Sequence, residues 1–127
     1  MKQKIAFICV HNSCRSQIAE ALGKKYLSDG YDCYSAGTVT KPQINPDAVR
    51  LMKELYDIDM SDYYSKTFDQ IPEPDIIISM GCEVVCPRDF DQNWHLEDPT
   101  GKGDDVFKRV IAQIEENIFL LKEKHIY

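Results

Sequence analysis

Ile5-Ala6-Phe7-Ile8-Cys9-Val10-His11-Asn12-Ser13-Cys14-Arg15-Ser16 decides how the rest of the chain is read. The apolar run Ile5 to Ile8 predicts a buried strand. From Ser16 onward Ile18, Ala19, Leu22, Tyr26 and Leu27 recur at roughly helical spacing, and Ser28-Asp29-Gly30 ends the run. Between strand and helix stand a cysteine, five residues and an arginine. A loop at a helix amino terminus offers unpaired backbone N–H groups, and the helix dipole there favours negative charge. Arg15 adds a planar fork of donors suited to phosphate-like oxygens. A thiol at the mouth of such a positive site loses its proton more readily than a free one, so Cys9 is the candidate nucleophile. Val10, His11, Asn12, Ser13, Cys14, Arg15 and Ser16 are the candidate oxyanion-binding residues. Within this set, Asn12 and Ser13 are expected to hold the loop's shape and Ser16 to donate a hydroxyl hydrogen bond to the Cys9 thiolate. Cysteine and arginine recur at this spacing by chance; their placement between strand and helix is what gives the pair meaning.

Working outward, the 127 residues predict a single domain spanning 1–127, long enough to bury a core. Fifteen basic against twenty-one acidic residues leave a formal charge of −6, which argues against a nucleic-acid surface and requires the loop to attract its anion by a local field. No apolar stretch approaches the ~20 residues of a membrane span, and Met1 to Lys4 leads into a strand without a secretory leader. A cytoplasmic protein without a membrane partner is expected. The acidic surface and the lack of an evident exposed apolar stripe favour a monomer. Five cysteines, an odd count, make a structural disulfide framework improbable and favour reactive or buried thiols.

The elements alternate strand with helix, which predicts an open four-stranded parallel sheet with helices on both faces. Tyr31 to Ala36 reads as a second strand closed by Gly37. Asn45-Pro46 supplies an N-cap and a first-turn proline for a helix with Ala48, Leu51, Met52 and Leu55 on one apolar face. Asp62 to Pro74 reads as irregular, with a short turn near Phe68. Asp75 to Ser79 is a third strand and Asn93 to Leu96 a fourth. Val106, Val110, Ile111, Ile114, Ile118 and Leu121 form the apolar stripe of a long closing helix. Ligands of open parallel sheets bind beyond the carboxyl ends of the strands, so Cys82, which follows the third strand, is expected to face the same crevice as the Cys9 loop.

A thiol nucleophile carrying an oxyanion can be relieved by water or by a second thiolate, and the second route transfers two electrons into a disulfide. Cys82 and Cys86 stand four residues apart in Gly81-Cys82-Glu83-Val84-Val85-Cys86-Pro87, near enough to bridge. Half a zinc site or two buried thiols are the competing readings. With no second close pair, and only His95 and Cys14 to complete a ligand set, a metal is not expected. Cys14 is read as packing at the loop's base and Cys33 as core. Asp98 precedes Pro99 and is biased toward an extended conformation.

Cys9 to Glu20, together with Tyr34-Ser35-Ala36-Gly37, Asn45-Pro46 and Leu96-Glu97-Asp98-Pro99-Thr100-Gly101-Lys102, closely resembles the low-molecular-weight protein tyrosine phosphatases and their relatives, the thioredoxin-coupled arsenate reductases. The resemblance covers nearly the whole chain and implies the phosphatase-like fold with its phosphate-type loop after the first strand. It implies that Asp98 protonates the leaving oxygen and that Cys82 and Cys86 match the second and third redox cysteines. The intervening segment is often longer in those enzymes. Arsenate or a phosphate-like oxyanion is the implied substrate, thioredoxin the implied reductant, and no cofactor is implied. The rival is a phosphatase working through Cys9, Arg15 and Asp98 alone. Thr100-Gly101-Lys102 stands where phosphatases commonly carry tyrosines, which counts against a tyrosine-phosphate substrate. Asn12, Glu20 and Ser35 match positions that bind potassium in some arsenate reductases. The fourth such position falls on Lys66, whose ammonium is expected to replace the cation through a salt bridge.

Overall fold

The computed structural model describes residues 2–40, 42–81 and 90–124. Strand β1 (Gln3–Cys9) runs into α1 (Arg15–Tyr26), followed by β2 (Tyr31–Gly37), α2 (Pro46–Tyr56), a one-turn 3-10 helix (Phe68–Gln70), β3 (Ile76–Ser79), β4 (Gln92–Asn93) and α3 (Asp104–Lys124). The four strands pair in parallel in the order β2-β1-β3-β4. The chain therefore steps from β1 to one side and later returns to the other, so the switch point lies at the carboxyl end of β1. Register places Cys9 beside Gly37 and Ile8 beside Ser79, so three strand ends meet there.

The alternation of β1 divides its side chains between two cores. Ile5, Phe7 and Cys9 join the cluster built by all three α-helices, including Ile18 and Leu22 of α1, Leu51 and Met52 of α2, and Phe107, Ile111 and Ile114 of α3. Ala6 and Ile8 turn to the other face with Ile77, where Phe68 of the 3-10 helix and Ile71 just after it pack against them. Helical segments thus lie on both faces of the sheet, though unequally. Asn45 caps α2 by accepting from the N–H groups of Asp47 and Ala48, ahead of Pro46 at the first helical position.

One boundary and two buried faces depart from the pattern reading. Strand β4 is Gln92–Asn93 rather than Asn93 to Leu96, because His95 turns into the left-handed region with φ 51° and ends the ladder. Leu55 is exposed, since α2 turns its buried face to Ala48, Leu51 and Met52. In α3 Val106 is half-buried while Phe107, absent from the expected stripe, is fully buried. Among the described residues no helix is long and apolar enough to cross a membrane.

Candidate active site

The loop from Val10 to Cys14 turns its carbonyl groups outward and ties each one down. Val10 O accepts from the N–H groups of Thr38 (2.9 Å) and Val39 (3.1 Å), His11 O from the Ser65 hydroxyl (2.7 Å), and Asn12 O from Gln17 Nε2 (3.0 Å). Ser13 O accepts from Asn45 N–H (2.8 Å) and Cys14 O from Ile18 N–H (3.0 Å). With the carbonyls directed away, the loop forms an anion-binding nest at the amino terminus of α1. Asn12 makes the turn with φ 51°, a left-handed conformation that asparagine tolerates better than most residues. Gly37 backs the loop so closely that a Cβ there would stand 2.7 Å from Val10 O and 2.9 Å from Asn12 N.

Beneath the nest, Asn12 and Ser16 are buried and linked. Asn12 Nδ2 donates to Ser16 Oγ (2.8 Å), and Ser16 Oγ stands 2.8 Å from Cys9 Sγ. Above it opens a cavity of about 330 Å3 lined by Cys9, Val10, His11, Ser13 and Cys14, with Arg15 from α1 and Asp98 and Thr100 from the loop before α3. A thiol, a guanidinium and a carboxyl group therefore converge on a volume suited to a small oxyanion, with no Phe, Tyr or Trp among the described residues of the lining. Arg15 Nη1 donates to Leu96 O (2.7 Å) and Met80 O (3.3 Å). Gly81, with φ 134°, leaves room for that guanidinium, since a Cβ would lie 3.1 Å from Nη1.

Burial pushes the Asp98 carboxyl up, but hydrogen bonds from the Thr100 N–H (3.1 Å) and hydroxyl, with the charges of Arg15 and Lys102, hold it below the usual carboxylate value. Asp98 is therefore a carboxylate at neutral pH. Burial drives the Cys14 thiol far upward, and the charges of Asp98 and Cys9 add to it, so Cys14 suits packing at the loop's base rather than nucleophilic attack. Cys33, in the core, is pushed up to about 12, chiefly by burial and then by the charge of Glu20. Cys9, Cys14 and Cys33 are free thiols. Cys82 and Cys86 lie outside the described residues.

The cluster expected around Lys66 is present. Lys66 Nζ stands 3.4 Å from Glu20 Oε1, 3.5 Å from Ser35 Oγ and 3.2 Å from Tyr64 O, and Ser35 Oγ donates to Glu20 Oε1 at 2.5 Å. Asn12 Oδ1, the remaining oxygen, accepts from the Lys66 backbone N–H at 2.8 Å. An ammonium amid these oxygens leaves them unsuited to a potassium ion. Among the described residues no group of three or more His, Cys, Asp or Glu side chains is placed to hold a metal.

Sequence reasoning missed Gln17, Ser65 and Thr100 as supports of the site. Ser65 and Thr100 carry no local signal; Gln17 sits in the first helical turn, where a buried polar side chain is a hint. A larger cavity of about 660 Å3 lies between the end of α1, the start of β2 and α3, and its lining, including Tyr26, Tyr31 and Phe119, holds no cysteine among the described residues.

The model of the low molecular weight phosphotyrosine protein phosphatase family matches residues 4–125. An arsenate reductase of Staphylococcus aureus (strain N315) is 38% identical over 122 residues, covering 90% of this chain and 92% of its own. A solved arsenate reductase in the phosphate binding state superposes with a TM-score of 0.85 at 34% identity, covering 98% of each chain. A Corynebacterium glutamicum thioredoxin-dependent arsenate reductase gives 0.78 at 33%, covering 97% of this chain and 61% of that one. With the loop, its backing glycine and the facing aspartate in place, the chain belongs to the low molecular weight phosphotyrosine protein phosphatase family, in its arsenate reductase branch.

Proposed function

We propose that the protein reduces arsenate to arsenite by a three-cysteine relay regenerated by thioredoxin. The observation that carries the first step is the convergence of Cys9, Arg15 and Asp98 on one small cavity with outward-turned carbonyls behind it. Arsenate enters as a phosphate-like anion, held by the N–H groups of the loop and by Arg15. The Cys9 thiolate attacks arsenic and a hydroxyl leaves with a proton from Asp98. Asp98 begins as a carboxylate, so it must acquire that proton when the anion binds. The anion's charge offsets Arg15, raises the carboxyl's affinity for a proton, and the incoming oxyanion carries protons of its own. Thr100 in the lining favours a small inorganic anion over an aryl phosphate.

Cys82 then attacks the Cys9 sulfur. The sulfur–arsenic bond breaks, its electron pair leaves with arsenic as arsenite, and a Cys9–Cys82 disulfide remains. Cys86 next attacks Cys82, freeing Cys9 as a thiolate and moving the disulfide to Cys82–Cys86. An external dithiol, thioredoxin, reduces that bond. The two cysteines in the sequence and the relation to arsenate reductases, one of them thioredoxin-dependent, support these later steps.

The test follows NADPH consumption with arsenate, thioredoxin and thioredoxin reductase for the wild type, Cys9→Ser, Cys82→Ser and Cys86→Ser. Arsenate-dependent turnover in the wild type, lost in all three variants, is expected. A wild type without turnover, or Cys82→Ser and Cys86→Ser variants that match it, sinks the relay. Hydrolysis of a phosphoester without arsenate reduction establishes instead a phosphatase acting through Cys9, Arg15 and Asp98.

A further inference from the structure

Gln17 is fully buried in the first turn of α1, and only one end of its amide is engaged. Nε2 stands 3.0 Å from Asn12 O, 2.8 Å from Asn12 Oδ1 and 2.9 Å from Tyr64 O, whereas Oε1 has no partner among the described residues. Turning the amide over would press its oxygen against three others, so its orientation is determined. The consequence falls on Asn12. Its Oδ1 accepts from Gln17 Nε2 and from the Lys66 N–H (2.8 Å), which directs Nδ2 to Ser16 Oγ. The Ser16 oxygen thus receives a hydrogen, and its own single hydrogen is left for Cys9 Sγ.

We propose that Gln17 is a positioning residue for the attacking thiol: together with the Lys66 N–H it clamps the Asn12 carboxamide so that Ser16 donates to Cys9, which favours the thiolate. A hydrogen bond to the charged form stabilises that form. The inference rests on the reading of Cys9 as nucleophile. Other charged or titratable groups at the same cavity are Arg15, Asp98, His11 and Cys14, and the substitutions below leave all four in place.

The test measures alkylation of Cys9 by iodoacetamide against pH, with the modified peptide identified by mass. It compares wild type, Gln17→Met and Gln17→Glu, each with and without Ser16→Ala. Methionine keeps the length and removes the donors, so the midpoint for Cys9 is expected to rise, lowering the thiolate fraction at a fixed pH below the midpoint by up to about tenfold, the equivalent of one pKa unit. Glutamate sets a carboxylate against Asn12 Oδ1, turns that amide over, and is expected to shift the midpoint further. In the Ser16→Ala background Gln17→Met does not move it again, and for Gln17→Glu only the direct repulsion by the added carboxylate remains. A Gln17→Met profile that superposes on the wild type, or an equal shift without the Ser16 hydroxyl, overturns the proposal. A merely structural role would lower the melting temperature without this dependence on Ser16. Should Gln17→Met not fold, Gln17→Glu decides: its shift is expected to be larger with the Ser16 hydroxyl than without it, and equal shifts overturn the proposal. The wild type offers an independent check by NMR: the Asn12 side-chain amide protons are expected to resist exchange, and rapid exchange overturns the clamp. Alkylation needs no turnover, so failure here is distinct from loss of arsenate reduction.

Discussion

Two loops meet over the same cavity and are built in opposite ways. The loop from Val10 to Cys14 has its carbonyls fixed by partners from four other segments, with Gly37 pressed against its back. The loop from Glu97 to Gly103 is largely exposed and held by surface charges. Lys102 Nζ and Arg109 Nη2 bond Glu97 at 3.1 and 2.7 Å, and Gly101 and Gly103 take φ of 76° and 94° with open space where a Cβ would stand. The difference follows from the two tasks. Several N–H groups bind an anion well only if they already converge before it arrives. A proton donor needs reach and an adjustable charge, which a surface loop allows. Glycine marks the contrast: Gly37 is required by space, Gly101 by backbone angle alone.

The sharpest way to break this contrast is to add a side chain at each glycine. Gly37→Val puts atoms within 3 Å of Val10 O, Cys9 O and Asn12 N and is expected to abolish measurable phosphate binding in calorimetry. The strain is of the order of 1–3 kcal/mol or more, readable in denaturant unfolding. Gly101→Ala meets no atom within 4 Å, and its expected cost is only about 1 kcal/mol for the left-handed backbone, with phosphate still bound. Equal losses from the two substitutions would show the loops to be equally preformed.

Asp98→Asn separates binding from chemistry. The ionised carboxylate shares the cavity with the anion and repels it, so the amide is expected to bind phosphate more tightly while arsenate turnover falls roughly 100-fold or more. Because the folded value lies below the ordinary one, the carboxylate's stabilising contribution is complete above the ordinary range and is lost as pH falls through the lowered value. Melting curves of the variant and the wild type should therefore draw together in acid. Turnover unchanged by the amide would remove Asp98 from the chemistry.

Lys66→Met tests the support behind the rigid loop. Removing one partner of a buried pair costs about 3–5 kcal/mol, but Glu20 Oε2 keeps Lys24 Nζ at 2.7 Å, so a loss of about 2 kcal/mol in denaturant unfolding is expected. Neither wild-type stability nor turnover should distinguish potassium from sodium, because the ammonium already fills the space among these oxygens. Lys66→Asp, which places a carboxylate there, is expected to make stability depend on potassium. Potassium dependence in the wild type would contradict the ion-pair reading.

Much of this was legible in the chain because strand, loop and first helix are contiguous: the run to Cys9, the Arg15 that opens α1 and the Asn45-Pro46 cap are local signals. The contacts that make the loop rigid were not. Ser65, the Lys66 N–H and Gly37 reach it from segments more than twenty residues away, and no periodicity encodes such a pairing. The resemblance placed Tyr34 to Gly37 in the motif without its reason, which is that only a hydrogen fits against the loop's carbonyls. The edge strand β4 is two residues long, too short for alternation to locate, and at Leu55 the buried arc of α2 is narrower than its apolar spacing.

The smallest expected effect belongs to Glu97, where the exposed loop's charges meet. Its carboxyl is held below the usual value by the Arg109 and Lys102 hydrogen bonds, yet it is open to solvent, where such pairs add little and are screened by salt. Glu97→Gln should leave the melting temperature nearly unchanged and phosphate affinity intact, since it touches nothing in the cavity. What it should alter is the position of Asp98, through a loop no longer drawn toward α3. A modest fall in kcat for arsenate, with KM preserved and the difference vanishing in high salt, is therefore expected in steady-state assays. A loss of stability as large as that from Lys66→Met would show that the surface pairs hold the loop as firmly as the buried network holds its neighbour.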